Sequence, residues 1–352
     1  MKQLTCQGVP VVFGPIDEMN LSDYFPAGDG LKVLIVVDEN TLEHCLPDFI
    51  ASQEIFGQAE IIQLPSGEEN KTIEMCLEVY KTLTELQFGR KDLIVALGGG
   101  VICDMVGFIA GTYKRGIPFV SFPTTLLSMV DASVGGKTGI DFGGLKNQIG
   151  LFNNAVYTGI DVQFLQTLPP KEIQSGLAEM IKHGLIQDTV PFSEIEAVIT
   201  SGENLSDQLL WNSVRIKAEV VDQDPKEKGL RKILNFGHTV GHAIESFCLE
   251  KDKMTHGLAI AHGMLVEARI AVDKGLLKDE EFLRIEKLLR KFPLEEFAEE
   301  DYSSLLSLMD NDKKNEGGKI KMSSLTEIGA ATYDIEVSKD EIISGLNCLR
   351  IN

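Results

Sequence analysis

The sequence predicts an α/β-plus-α protein: a parallel-sheet domain over residues 1–160, then an all-helical domain over residues 161–352. Three observations predict it. Short, continuously apolar, β-branched runs alternate with helical spacing in the first half. That alternation stops near residue 160. Beyond Pro169-Pro170, nearly every stretch carries helical spacing. Buried strands separated by helices are the mark of a parallel sheet covered on both faces. A length of 352 residues also favours two domains over one.

The strands come in order as 32–37 (KVLIVV, ending at Asp38), 59–64 (AEIIQL, ending at Pro65), 92–97 (DLIVAL, running into Gly98-Gly99-Gly100) and 118–122, closed by Pro123. Between the second and third, residues 72–86 place Ile73, Leu77, Tyr80 and Leu83 at helical spacing. In the second half, 161–170 ends in Pro169-Pro170, a helix-start signal. The predicted helices follow at 172–185, 205–221, 230–248, 258–274 and 280–291. Residues 310–318 (DNDKKNEGG) read as an exposed polar loop.

Composition narrows the function. Apolar residues at 43% and charged residues at 24% are globular values. The formal charge is −20, from 33 basic and 53 acidic residues. That argues against nucleic acid as a partner and against docking on an anionic membrane. It leaves room for a small anionic substrate, which needs only a few local cations. Six cysteines (Cys6, Cys45, Cys76, Cys103, Cys248, Cys348) form no CxxC pair, as in a reducing compartment. No apolar run approaches the roughly 18 residues of a membrane helix. A cytoplasmic location is therefore expected.

Two glycine-rich turns are candidates for holding an anion. Gly98–Asp104 follows a buried strand and opens a helix, where backbone N–H groups and the helix dipole favour a phosphate. Its spacing is not GxGxxG, and a plain tight turn is an equally good reading. Gly135-Gly136-Lys137-Thr138 resembles the end of a P-loop, but the first glycine would have to stand at position 131, which is Asp131.

Four of six histidines fall between residues 238 and 262. His238 and His242, at i and i+4, share a helical face and suit a metal or an acid/base role. Glu245 is placed to orient an imidazole. His256 begins the next helix. His262 and His44 read as ordinary satisfied residues. Glu179 sits within an apolar helical stretch, where an unpaired carboxylate is expensive. It suits a metal ligand or a pair with Lys182 or His183, and spacing leaves that choice open.

The ordered set Gly98–Asp104, PTTL at 123–126, DASVGGKT at 131–138, LKNQIG at 145–150, SGLAEMIK at 175–182 and LNFGHTVGHAIE at 234–245 resembles the 3-dehydroquinate synthase family. The resemblance runs from about Asp38 to Lys314. It implies a Rossmann-like NAD-binding domain followed by a helical domain holding a divalent metal, zinc or alternatively cobalt. It implies Glu179, His238 and His256 as metal ligands. For NAD it implies Asp38, Asn40, Glu68, Lys71, Gly100, Val101, Ile102, Cys103, Asp104, Thr124, Thr125, Lys137, Lys146, Phe164, Leu165, Gln166 and Thr167. Around the substrate it implies Asp131, Lys137, Asn147, Lys182, Lys217, Arg231, Asn235 and His242. It adds Lys313, favoured over Lys314, and Arg115 reaching the phosphate from a neighbouring subunit, so a homodimer is expected.

The implied reaction converts 3-deoxy-D-arabino-heptulosonate 7-phosphate to 3-dehydroquinate and phosphate, with NAD used catalytically. Other sugar-phosphate cyclases, an NAD-dependent polyol dehydrogenase and a non-catalytic binding module are the alternatives. Two departures stand out. Cys103 occupies a position where the family usually has Gly, which raises the question of thiol sensitivity. His183 stands where related iron-dependent alcohol dehydrogenases carry a further ligand.

Overall fold

The computed structural model describes residues 1–21, 24, 30–187, 192–201, 205–248, 254–310 and 320–350. The chain divides into two compact units, Met1–Pro169 and Pro170–Asn352.

The first unit is built on a seven-stranded sheet. Its strands are β1 (Lys2–Cys6), β2 (Val9–Phe13), β3 (Val33–Asp38), β4 (Glu60–Leu64), β5 (Leu93–Gly98), β6 (Phe119–Pro123) and, after a separate ribbon, β9 (Tyr157–Ile160). Their order is β1-β2-β9-β6-β5-β3-β4. All pairings are parallel except β1 with β2. The apolar runs explain the middle of the sheet: β5 is buried along its whole length and β3 along all but its last residue, Asp38. The helices of this unit are α1 (Glu39–His44), α2 (Leu46–Ser52), α3 (Ile73–Glu85) and α4 (Gly100–Thr112). α3 and α4 close over the sheet through Cys76, Val79, Leu83, Met105, Val106 and Ile109.

Strand order reverses at β3. The chain steps from β3 outward to β4, then returns to β5 on the other side of β3. In an open α/β sheet, such a reversal leaves a crevice beyond the carboxyl ends of the two strands, where ligands bind. Here those ends are Asp38 and Gly98. A two-stranded antiparallel ribbon, β7 (Lys137–Phe142) and β8 (Leu145–Phe152), turns through Gly143-Gly144. Both glycines have positive φ, 62° and 76°, as a two-residue hairpin turn requires.

The second unit is mostly helical: α5 (Pro170–Ile186), α6 (Phe192–Ser201), α7 (Asp207–Gln223), α8 (His238–Cys248), α9 (His256–Asp273), α10 (Asp279–Leu289), α11 (Tyr302–Asp310) and α12 (Lys339–Leu346). One addition to the sequence reading is an antiparallel hairpin, β10 (Ile320–Glu327) with β11 (Ala330–Val337). A second difference is that the stretch read as one helix over 230–248 is two pieces. A 3-10 turn spans Leu230–Asn235, and α8 starts only after Gly237, whose φ is +80°. α9 is the central helix and is buried on nearly every side. Small residues allow this: a Cβ on Gly263 would collide with the carbonyl oxygen of Gly237, and one on Gly257 with the backbone of Ser175. No helix among the described residues is long and apolar enough to cross a membrane.

Candidate active site

In the first unit, the predicted residues gather at the strand reversal. α4 begins at Gly100 directly after β5, with Gly99 as its N-cap. The glycines here serve close approach, since a Cβ on Gly98 would stand 2.6 Å from Ile102 Cβ. The exposed N–H groups of this helix end suit an anion. Val101 and Ile102 follow in the first turn. Thr124 N–H donates to Gly98 O (3.0 Å), and Thr125 exchanges hydrogen bonds with Ser128, so the 123–128 turn lies beside the glycines. Asp38 caps α1, accepting from Thr41 N–H at 2.8 Å, and Asn40 lies in that helix.

Lys71 is the centre of a buried polar cluster. Its Nζ donates to Asp104 Oδ2 (2.6 Å) and to Asn147 Oδ1 (2.7 Å). Glu68 Oε1 lies 3.8 Å from Lys71 Nζ and 3.4 Å from Lys146 Nζ. Burial works to lower the Lys71 pKa, but Asp104 and Glu68 outweigh it and hold the ammonium above the usual lysine range. Asn147 takes a positive φ of 50°, and its N–H donates to Asp141 Oδ1 (2.7 Å). This cluster joins the β4–α3 turn, the first turn of α4 and the β7–β8 ribbon.

The other expected residues of this unit lie on neighbouring turns and strands, and the Asp131 charge still acts on Asp104. Asp131 lies in a short π-turn, Ser128–Ala132, and Lys137 opens β7 after Gly135 and Gly136, both at positive φ. Phe164, Leu165, Gln166 and Thr167 form a 3-10 turn capped by Asp161. Arg115 lies beyond the far end of α4, about 18 Å along the helix from Gly100. Its side chain is exposed and makes no hydrogen bond or ion pair among the described residues. The Cys103 thiol points inward, toward Gly98 O and Ser121 Oγ (3.4 Å). Burial pushes its pKa up to about 12, so it is not a reactive thiolate.

In the second unit, Glu179 on α5 is fully buried. Its Oε2 accepts from Lys182 Nζ, one helical turn on and equally buried. Its Oε1 accepts no hydrogen bond among the described residues. That oxygen lies 3.7 Å from His238 Nε2 and 3.8 Å from His256 Nε2. These distances are too long for hydrogen bonds. They are close to the separations of about 3.3–3.5 Å between neighbouring ligands of one tetrahedral zinc ion.

The other ring nitrogens have partners of their own. His238 Nδ1 lies 3.2 Å from Phe236 O, and His256 Nδ1 lies 3.4 Å from Glu245 Oε2. Each contact favours a proton on Nδ1 and leaves Nε2 for a cation. Glu245 thus meets His256 and can orient that imidazole. A buried carboxylate oxygen aimed at two imidazole nitrogens, with no donor of its own, fits a divalent metal. His242 completes a triangle of rings, 5.1 Å from His238 and 5.7 Å from His256 between centroids. The three imidazoles are themselves close enough to share an ion.

Local packing sets this up. Gly257 N–H donates to Ser175 Oγ (2.9 Å), which holds the start of α9 on α5 and brings His256 opposite Glu179. The start of α8 is held by Glu267, a buried carboxylate that sequence reasoning missed. It accepts from Gly237 N–H (2.7 Å) and Val240 N–H (3.1 Å), flanking His238. Its signal was faint: one acid inside an apolar helix.

The buried cations Lys217 and Arg231 lie on α7 and in the 3-10 turn before α8. Arg231 is fixed by Asp224, whose carboxylate accepts from the N–H groups of Lys228, Gly229 and Arg231, and by its own bond to Pro225 O (2.8 Å). Asn235 donates through Nδ2 to Glu227 Oε1 (2.5 Å). Glu227, also missed, takes a positive φ of 56°. Non-glycine residues in that conformation collect at functional sites. His183 is buried, with Nδ1 2.7 Å from Ser213 Oγ. Lys313 and Lys314 lie outside the described residues.

This architecture defines a class: enzymes with a dinucleotide-type α/β half and a helical metal-centre half. Family models for the 3-dehydroquinate synthase N-terminal and C-terminal domains match residues 61–175 and 176–315. The 3-dehydroquinate synthase of Parabacteroides distasonis is 38% identical over 94% of each chain. That of Prochlorococcus marinus is 40% identical over 91% of this chain and 89% of its own. Among solved structures, a 2-epi-5-epi-valiolone synthase from Streptomyces hygroscopicus with NAD+ and Zn2+ bound superposes with a TM-score of 0.85 at 27% identity, covering 99% of this chain and 98% of its own. A 2-deoxy-scyllo-inosose synthase complexed with carbaglucose-6-phosphate, NAD+ and Co2+ gives 0.85 at 26%, covering 99% of both. The chain belongs to the 3-dehydroquinate synthase family and functions as an enzyme of that kind.

Proposed function

We propose that the chain converts 3-deoxy-D-arabino-heptulosonate 7-phosphate to 3-dehydroquinate and phosphate, with NAD bound by the sheet-bearing part and a divalent metal, zinc or cobalt, by the helical part. One observation carries the reading. Among the described residues, only four lysines and arginines are buried: Lys71, Lys182, Lys217 and Arg231. Buried cations are rare and are held in place where they occur, as Lys71 is by Asp104 and Lys182 by Glu179. All four are positions that the family resemblance assigns to cofactor or substrate.

Glu179 Oε1 and the Nε2 atoms of His238 and His256 hold the metal. A metal held there would supply acidification of a substrate hydroxyl, and bound NAD+ would supply a reversible hydride acceptor. Lys217 and Arg231 bind the carboxylate, with Arg231 presenting its guanidinium fork from the turn stapled by Asp224. Asn235 and Lys182 orient substrate hydroxyls. His242 and Glu227 move protons at a ring nitrogen and at a carboxylate oxygen. Lys137, Asn147 and Asp131 serve the phosphate end, together with Arg115 from a second copy. Glu68, Lys71, Asp104 and Lys146, with the α4 N-terminus, serve NAD. None of the six cysteines forms a disulfide, which supports a reducing compartment, the cytoplasm.

The solved neighbours favour one second reading, a cyclase making an inosose or valiolone. Lys217 and Arg231 weigh against it, because the family resemblance assigns both to a carboxylate that such a substrate lacks. The experiment is an assay with the heptulosonate phosphate that follows phosphate release and absorbance of NADH together. The reading expects stoichiometric phosphate with no net NADH. Accumulating NADH without phosphate would indicate a dehydrogenase instead.

A further inference from the structure

We propose that the Tyr333–Asp334 bulge of the β10–β11 hairpin positions the substrate carboxylate: it grips Lys232 and, through Lys232, fixes the turn that carries Arg231 and Asn235. The proposal rests on the carboxylate role given to Arg231 above.

Strand register defines the bulge. Met322 pairs with Ile335, and Ser324 pairs with Thr332. Between those pairs β10 has one residue, Ser323, and β11 has two, Tyr333 and Asp334. Two residues opposite one bend the strand and re-aim its side chains, and such bulges collect beside active sites. Asp334 takes a φ of +59°, a left-handed backbone that aspartate and asparagine tolerate better than other non-glycine residues.

The re-aimed side chains meet one turn. Both Asp334 Oδ atoms accept from Lys232 Nζ (2.9 and 2.8 Å). The Tyr333 ring faces the same ammonium, with Nζ 5.7 Å from the ring centroid. Its hydroxyl stands 3.3 Å from where a Cβ on Gly229 would sit, so the residue that starts the turn lies against the bulge. Ser323, buried opposite the bulge, donates from Oγ to Lys232 O (2.6 Å). Lys232 is thus held at its ammonium and at its carbonyl. Its neighbour Arg231 is held from the other side by Asp224. The far end of the hairpin is anchored as well. Ile328 N–H donates to Glu281 Oε1 (2.8 Å), and Gly329 N–H donates to Leu185 O (2.9 Å) on the helix that carries Glu179 and Lys182.

Stability alone accounts poorly for this arrangement. The Lys232 and Asp334 side chains are 31% and 42% exposed, and an ion pair so open to water contributes little to folding. A left-handed aspartate inside a strand also works against the fold unless its surroundings use it. What the pair supplies is position. A guanidinium that binds a carboxylate as a fork has to be held within about 0.5 Å and 10–20° of the productive geometry.

The experiment is steady-state kinetics of the full chain with the heptulosonate phosphate, with NAD titration, metal content and melting temperature measured for each variant. Asp334→Gly removes the carboxylate and leaves a backbone that glycine adopts without strain. It should raise the substrate KM roughly three- to ten-fold, with kcat, NAD affinity and metal content within about twofold of wild type. Asp334→Asn, which keeps an acceptor, should recover most of that loss. Ser323→Ala should act as Asp334→Gly does. Lys232→Met, expected to act the same way, decides the matter if Asp334→Gly does not fold. In an Arg231→Ala background, Asp334→Gly should add less than about 1.5-fold, because both act through one guanidinium. An unchanged KM in the folded variants, or the same rise with and without Arg231, would overturn the proposal. Arg231→Ala alone separates the two readings. If it leaves KM unchanged, the carboxylate role fails and takes this proposal with it. If it raises KM while Asp334→Gly does not, only the role of the bulge is lost.

Discussion

At the scale of single residues, the second unit is organised by carboxylates that accept backbone N–H groups. Asp224 is the clearest case. Burial is the largest single influence and raises its pKa, but three backbone donors and the Arg231 charge together outweigh it and hold the carboxyl below the usual range. The consequence is a fixed Arg231. Arg231→Ala should raise the substrate KM by roughly ten- to a hundred-fold, the loss of about 1.5–3 kcal/mol of charged hydrogen bonding, with NAD affinity unchanged. Steady-state kinetics and NAD titration decide it, and equal losses of both would remove its carboxylate role. His262 makes a different kind of prediction. Its Nδ1 donates to Leu258 O (2.7 Å) and its Nε2 accepts from Glu295 N–H (2.8 Å), so the ring is neutral and satisfied, as expected of an ordinary core histidine. Burial pushes its pKa below the usual 6.5. The unfolded chain therefore takes up this proton first as pH falls. Stability from the neutral ring is complete above about 6.5 and is lost as pH falls toward and through the lower folded value. Thermal unfolding of His262→Gln should show a shallower loss between neutral and mildly acidic pH than wild type, whereas parallel profiles would contradict this account.

At the scale of elements, α8 and α9 depend on one another through Glu267. Glu267→Ala should leave Gly237 and Val240 N–H without a partner, at about 1–3 kcal/mol for each buried donor. The melting temperature should fall, and bound metal should fall with it because His238 is loosened. A variant with unchanged metal content and lowered melting temperature would confine Glu267 to stability. Elements also show where the sequence was readable. β3, β4, β5, β6, α3 and the helices α5, α7, α9 and α10 were legible within a residue or two, and the start of α4 was legible without its end, because burial on both faces or one stripe leaves a strong pattern. β1 and β2 were not, since Pro10 interrupts the second strand. The β7–β8 ribbon read as a glycine-rich loop, because its glycines and exposed apolar residues hide any alternation. The break at Gly237 was hidden by apolar residues that continue helical spacing across it.

At the scale of the whole molecule, the acidic excess belongs to the surface, because among the described residues the four buried lysines and arginines are matched by four buried carboxylates, Asp161, Glu179, Glu245 and Glu267. Of the four buried lysines and arginines, Lys182 was visible from spacing as a possible partner of Glu179, and the other three only through the family resemblance, since a lone basic residue in an amphipathic stretch looks solvated. The histidine cluster was legible directly, but spacing could not decide what Glu179 does. The placement of its Oε1 beside His238 and His256 supports the metal reading. The net charge gives no long-range attraction for an anionic substrate, so kcat/KM should not fall steeply when salt is raised from low to physiological ionic strength. A steep fall would mean that a positive field steers the substrate. The most direct test of the central claim, that Glu179, His238 and His256 hold the metal on which phosphate release depends, is metal content measured together with activity in His256→Ala. The account predicts a folded protein that has lost most of its bound zinc or cobalt and its phosphate-releasing activity. Full metal content with activity retained would contradict it.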